Sequence, residues 1–380
     1  MKKITKVISL ILCVIIIMTA VCACAGKDKA SAPELLKGTL IHEPEFGGVY
    51  ITMTIDDFNK LGFNYGDSVD ISFTNGYKLE AIPYYNGYYT ANGDPLLIAY
   101  PGYDYIKAAI NNGDDLWTVA GLSETDTADI KLHEREQFID IQKARDIHYE
   151  DERSKFPSDE AFANFRAVSA GNIAADTLYR SASPCDNQHN RAPYVDKLSK
   201  EAGIGCILNL ADTDAKIEGY ISEEGFDSPY FLELYKAGKV ELFTLNMNFT
   251  SQDFREKVAK GLKAVIDNEG PYLVHCTEGK DRTGFVCMLL EALCGASYQE
   301  IVDDYMITYD NYYEITMEKD EVRYRVIVDK VLNPMIQAVA GDDVKDITTA
   351  DLSAGAEQFL LSAGMEKTDI DALRSRLTEK

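Results

Sequence analysis

The sequence predicts a large α/β domain, a central sheet flanked by helices over residues 158–380, preceded by a small β-rich domain over residues 40–121. Three observations carry this. From about Gly47, apolar residues alternate in short runs (VYITMTI, VDISFT, YKLEAIPYY) separated by Gly, Asn and Asp turns, the pattern of half-buried strands. After Ser158, strand-length apolar runs alternate with segments of helical period, as in a sheet covered by helices. The 380 residues are 46% apolar and 10% aromatic, enough for a substantial core and unlike a disordered chain.

The elements follow in chain order. Lys2, Lys3 and Lys6 precede an almost unbroken apolar run from Ile8 to Ala23, which reads as a bacterial export signal. Val21, Cys22, Ala23 and Cys24 resemble a lipoprotein box, with small Ala23 ahead of Cys24. Residues 1–23 are therefore expected to be removed and Cys24 lipidated, anchoring an extracytoplasmic protein to the cell membrane. The alternative is an uncleaved anchor over Val7–Gly26, long enough to span a bilayer. Residues 24–39 read as a polar tether. In the β-rich domain, the tyrosines of Tyr84–Tyr105 and the single Trp117 read as strand and turn packing.

Residues 122–157 are charged and read as a linker with a helical piece around Glu134–Lys143. Beyond it, Ile204–Leu208 and Val240–Leu245 read as strands. Ser251 caps a helix over Gln252–Asp267 whose Phe254, Val258, Leu262 and Val265 share one face. Gly270 and Pro271 end it. Tyr272–His275 is a short buried strand, and Arg282–Leu293 returns to helical period. Further helices start near Ser297 and Glu318, and the last forty residues form two more, split near Gly364.

The formal charge of −24 argues against nucleic acid as a partner, because phosphate backbones are bound by basic surface. It also opposes long-range attraction of any anion, so a phosphate site needs a local positive pocket. The stretch HCTEGKDRTG, His275–Gly284, offers one. It reads as the strand PYLVHC, the loop TEGKD and the helix RTGFVCMLLEAL. Such a loop presents backbone N–H groups ahead of a helix N-terminus, where anions bind. A thiol at its head, Cys276, is favoured there as thiolate. Arg282 closes the loop with a planar fork suited to two phosphoryl oxygens. Gly279 permits backbone geometry that other residues resist. Of the eight cysteines, Cys206, Cys287 and Cys294 sit in apolar context as buried thiols, and no spacing suits a metal.

VHCTEGKDRTG resembles the signature of the cysteine-dependent protein tyrosine and dual-specificity phosphatases. Its GKDRTG part is most similar to a bacterial branch with tyrosine and phosphoinositide phosphatase activity. The likeness extends over about residues 160–380, through Asn164-Phe165-Arg166 and Leu178-Tyr179-Arg180-Ser181-Ala182. Ala167 stands where that branch usually has Asp, a paired glycine after it is missing, and Asn209-Leu210-Ala211 replaces Asp-Leu-Arg. These departures concern the outer pocket. Separately, the β-rich domain weakly resembles the small barrel at the end of bacterial adenosylmethionine-hydrolysing enzymes.

The resemblance implies a tyrosine-phosphatase-like sheet and displacement at phosphorus through a cysteinyl-phosphate, without metal or cofactor. Cys276 would be the nucleophile. Arg282 and the loop residues Thr277, Glu278 and Gly279 would hold the phosphoryl oxygens. Thr283 would hydrogen-bond the Cys276 sulfur, and His275 would either orient the loop or touch substrate. Asp281 is the favoured general acid in that branch, with Asp253 and Asp212 as alternatives on neighbouring loops. Lys280 would bind a second phosphate of an inositol or lipid head group, or be a solvated loop lysine. Arg166 and Arg180 would add pocket charge or pair with carboxylates. The expected partners are a phosphorylated protein, a phosphoinositide or an inositol phosphate. A catalytically silent phosphate-binding module is the competing reading, although binding alone would tolerate Ser at position 276. A sulfur-transfer enzyme of the rhodanese kind usually lacks the trailing Arg-Thr-Gly. Export exposes a thiolate to oxidation, which a reversible disulfide with Cys185 would limit.

Overall fold

A computed structural model describes residues 32–45 and 47–379. The export signal, the lipidation of Cys24 and most of the tether lie outside the described residues. Seven strands, β1 (Glu34–Glu43), β2 (Gly48–Ile51), β3 (Ser68–Phe73), β4 (Lys78–Tyr85), β5 (Pro95–Ile98), β6 (Ile106–Ile110) and β7 (Thr127–Glu134), close into a barrel in the order β1-β2-β6-β5-β4-β3-β7. Alternation drives this: Val49, Ile51, Val69, Ile71, Leu97, Ile106, Ala128 and Ile130 are fully buried inside. The barrel reaches beyond the 40–121 expected, at both ends. β7 lies in the segment read as linker, where polar residues alternate with only two buried ones, Ala128 and Ile130. It pairs with both β1 and β3 and so leaves no open edge. The linker helix spans Ile139–Arg145.

All barrel pairs are antiparallel except β4–β5. Parallel neighbours need a return crossing, and here residues 86–94 provide it. They carry Asn92 to the α/β domain, where its Nδ2 donates to Asn248 Oδ1 at 3.2 Å. Tyr84 and Tyr85 are core residues as expected, whereas Tyr100 is 46% exposed. Trp117 packs against the barrel core and stacks on His42 at 5.0 Å.

The second sheet contains β8 (Arg166–Ala167), β9 (Leu178–Ser181), β10 (Cys206–Asn209), β11 (Val240–Leu242) and β12 (Tyr272–His275), in the order β11-β10-β12-β9-β8. Only the edge strand β8 runs antiparallel. β12 is flanked on both sides and buried along its whole length, which explains its uniformly apolar reading up to His275. Along it, Tyr272 and Val274 face one core, while Leu273 faces a smaller core with Ile207, Val195 and Phe231. The helix Asp281–Leu293 is buried from Thr283 to Leu293, sandwiched between the sheet and the helices Tyr298–Tyr313 and Leu352–Ser362. The helix expected over Gln252–Asp267 is broken at Leu262 into Gln252–Gly261 and Lys263–Asp267. Among the described residues, no helix is long and apolar enough to cross a membrane.

Candidate active site

β12 ends at His275 and the next helix starts at Asp281, so residues 276–280 form a loop at the carboxyl end of the central parallel strand. Open α/β sheets bind ligands at that end. Gly279 sits at φ +69°, and a Cβ there would lie 2.2 Å from the Ser181 carbonyl oxygen, so the loop demands glycine.

The loop carbonyls are held from outside. Ser183 N donates to Thr277 O at 3.0 Å, and Tyr312 Oη to Glu278 O at 2.8 Å. Asn164 Nδ2 and Arg180 Nη2 donate to Gly279 O at 3.2 and 3.0 Å. The N–H groups of Thr277, Glu278, Gly279 and Lys280 find no acceptor among the described residues. Carbonyls satisfied and amides open is the polarity of an anion cradle.

Cys276 heads this loop as a buried free thiol, 3% exposed. Arg282 is half-buried, with only long contacts to Leu245 O (3.3 Å) and Thr277 Oγ1 (3.4 Å). No carboxylate pairs with it among the described residues, so its charge is available to a ligand. Arg180 is the opposite case. It is 1% exposed, its Nη1 pairs with Asp304 Oδ2, and its Nη2 holds Gly279 O. That corrects its placement among the residues touching substrate: it braces the loop. Arg166 joins the brace through Asp304 Oδ1 at 2.9 Å and Asn164 Oδ1 at 2.7 Å. Burial pushes the Asp304 carboxyl up, but Arg166 and Arg180 outweigh it and hold it well below the usual range.

Two further expectations change. His275 is fully buried, so it does not reach substrate; its ring Nδ1 donates to Cys276 O at 3.1 Å. Burial lowers it to about 4, leaving a neutral ring that orients the loop. Thr283 is also fully buried and its hydroxyl has no partner among the described residues, so the hydrogen bond expected to the Cys276 sulfur is not made in this structure.

The three acids separate by environment. Asp212 is 2% exposed and accepts from Asn209 Nδ2 at 3.0 Å and Tyr220 Oη at 3.4 Å. Asp253 is exposed and paired with Lys257 at 2.8 Å. Asp281 adjoins the loop, has a quarter of its side chain exposed, and borders an open cleft.

Lys280 is not solvated. Its Nζ donates to Tyr149 Oη at 2.9 Å, lies 3.1 Å from Glu278 Oε2, and sits over the rings of Tyr149 and Tyr313. Burial pulls the ammonium down, yet Asp281, Tyr313 and Glu278 outweigh it and hold it well above the ordinary lysine value. The Glu278 carboxylate in turn accepts from Tyr149 Oη at 2.5 Å, so this side chain serves Lys280 and only its N–H faces the cradle's task.

Tyr149 and Asp304 were not singled out from the sequence. Asp304 was findable: it falls among the buried positions Ile301, Tyr305 and Thr308 of a helical pattern, where an acid requires a cation. Tyr149 carries no such signal, being one aromatic in a charged linker.

A family profile described as "Tyrosine phosphatase family" matches residues 157–379. Among solved structures, the chain is similar to an uncharacterized conserved protein from Thermotoga maritima, at 22% identity and a TM-score of 0.22, over 25% of this chain and 35% of that one. The chain thus spans about a third of that protein's length. It is also similar to the core catalytic domain of the PP-IP phosphatase SIW14 from S. cerevisiae, at 21% identity and a TM-score of 0.27, over 44% of this chain and 85% of that one. No curated protein sequence matches.

Proposed function

The chain belongs to the tyrosine phosphatase family, and we propose that it hydrolyses phosphomonoesters through a cysteinyl-phosphate, with phosphotyrosine as its preferred substrate class. The observation that carries this reading is the loop itself: open amides at 277–280 and an arginine without a carboxylate partner, set beside Cys276. Phosphoryl oxygens accept from those amides and from Arg282, which stabilise the charge spread over them during transfer. The Cys276 thiolate attacks phosphorus in line. The bond to the leaving oxygen breaks, and Asp281 gives that oxygen a proton. Water then attacks the cysteinyl-phosphate, Asp281 takes back a proton, and phosphate leaves with the thiolate restored. Asp281 is preferred over the two other acids because it directly follows the loop and borders the cleft, whereas Asp212 is buried and Asp253 lies on the exposed face of the helix Gln252–Gly261.

Inositol phosphates and phosphoinositides form a second reading, tied to Lys280. A second phosphate on that ammonium would have to displace Glu278 and Tyr149, which already satisfy it. This favours phosphotyrosine. The leader motif supports an extracytoplasmic lipoprotein anchored through Cys24, which loss of membrane association in Cys24→Ser would test.

The test of activity is a metal-free panel of phosphotyrosine peptide, phosphoserine peptide, phosphoinositide and inositol hexakisphosphate. Phosphotyrosine should be turned over fastest, and Cys276→Ser should lose about 10³-fold or more. Undiminished turnover in Cys276→Ser would sink the mechanism. A parent protein fastest on inositol hexakisphosphate would reverse the substrate order.

A further inference from the structure

Among the large apolar side chains that are well exposed in the described residues, two, Tyr100 (46%) and Met247 (40%), line the same cleft between the barrel and the α/β domain. The cleft encloses about 850 Å³, within the roughly 300–1,000 Å³ range of ligand sites. Tyr88, Tyr100 and Tyr103 form its barrel wall, and Met247, Phe249 and Pro334 lie on the catalytic side. Asp281, beside the catalytic loop, borders it as well. We propose that this cleft binds the polypeptide flanking a phosphotyrosine, seating an apolar side chain against the tyrosine wall while the phosphate occupies the Cys276 loop. The proposal rests on the phosphotyrosine reading and adds to it that the barrel selects the substrate.

Three features choose this occupant. The first is continuity, since Asp281, the residue that follows the loop 276–280, is itself part of the cleft lining. Charge is the second. The charged residues of the lining are Arg145, Lys330, Asp281 and Asp342, which is not the cluster of cations that a second phosphate or an anionic lipid head group calls for. The third is polarity. Asn112 Nδ2 donates to Asn92 Oδ1 at 2.8 Å, and Asn92 in turn donates to Asn248. Amide groups of this kind match a peptide backbone.

The wall is also set in advance. Tyr88 and Tyr103 share a hydroxyl contact at 3.1 Å, and the Tyr100 and Tyr103 rings lie 5.4 Å apart. Lys107, fully buried and paired with Glu43 at 2.6 Å, places its ammonium 5.7 Å from the Tyr103 ring centre. A wall held this way loses little freedom when a ligand docks.

The experiment compares phosphotyrosine peptides with Leu or Phe flanks against the same peptides with Gly flanks, using p-nitrophenyl phosphate as a reference without flanks. The full chain is used, as parent, Tyr100→Ala and Tyr100→Phe. Tyr100 is exposed enough for the variants to fold, which circular dichroism checks. The parent should prefer apolar flanks in kcat/KM. Tyr100→Ala should lower the ratio of apolar-flanked peptide to p-nitrophenyl phosphate by about tenfold, carried mainly by KM, and Tyr100→Phe should restore it. Equal kcat/KM for apolar and glycine flanks in the parent, or an unchanged ratio in Tyr100→Ala, overturns the proposal. Fluorescence titration of the apolar-flanked phosphopeptide reads the cleft without turnover. Binding weakened in Tyr100→Ala supports the cleft even if the parent hydrolyses nothing, a result that would count against the catalytic reading alone. Binding of neutral oligosaccharide in place of peptide also overturns it.

Discussion

Lys280 and Asp281 are adjacent and oppositely charged, and their surroundings give them different work. Lys280 is enclosed by Glu278, Tyr149 and Tyr313, while Asp281 opens to a cleft. Asp281→Asn should lower kcat about 10²-fold or more on phosphotyrosine peptide, and much less on an aryl phosphate whose leaving group needs no proton. A leaving-group series measures this, and equal losses across it would send the search for the acid to Asp212 or Asp253. His275 makes a pH prediction. Its ring is held at about 4 when folded, against an ordinary value of 6.5. The unfolded chain therefore takes up a proton that the folded one refuses, and stability falls as pH drops from 6.5 toward 4. The loss is about 2 kcal/mol between pH 7 and pH 5. Denaturant melts at both pH values should show this part of the slope in the parent and lack it in His275→Asn.

At the scale of elements, the catalytic loop is positioned by a helix that never touches the reacting atoms. Asp304, on Tyr298–Tyr313, holds Arg166 of β8 and Arg180 of β9, and Arg180 holds the Gly279 carbonyl. Asp304→Asn leaves two buried guanidinium groups without their shared counter-charge. It should cost about 3–5 kcal/mol in unfolding free energy, with kcat falling even where the protein remains folded. Glu291 lies against the same network, and burial followed by Asp304 pushes it well above the usual carboxylate value. A carboxyl kept neutral is closely mimicked by an amide, so Glu291→Gln should shift the melt by less than about 1 kcal/mol. A loss as large as that of Asp304→Asn would show that Glu291 is ionised. The strand Tyr272–His275, the helix behind it and the Cys276 loop were legible in the sequence because local period and loop chemistry determine them. Of the two readings of Arg180, pairing with a carboxylate holds and contact with substrate does not: a motif gives its neighbourhood, but only strand pairing shows which side of the loop it reaches. β7 was missed because its two inward residues make a weak alternation, and its identity as a strand comes from partners almost 100 residues away in β1 and about 60 away in β3.

For the whole molecule, the charge of −24 repels the dianionic substrates that the loop is built to hold. Salt screens that repulsion more than it weakens the part-buried contacts to Arg282. Raising ionic strength from about 10 to 150 mM should therefore increase kcat/KM for an acidic phosphopeptide, the reverse of an electrostatically steered enzyme. A monotonic fall would place a positive field at the mouth of the site. Barrel closure has a mechanical consequence too. The chain comes in through β1 and goes out through β7, and these strands are antiparallel neighbours, with Glu34 opposite Lys131. Both ends of the barrel's chain therefore lie at one end of a single seam. Tension applied between residue 32 and the catalytic domain would load the hydrogen bonds of that seam one after another, like a zipper, instead of all together in shear. The barrel should yield at low force, well before the parallel sheet that carries Cys276.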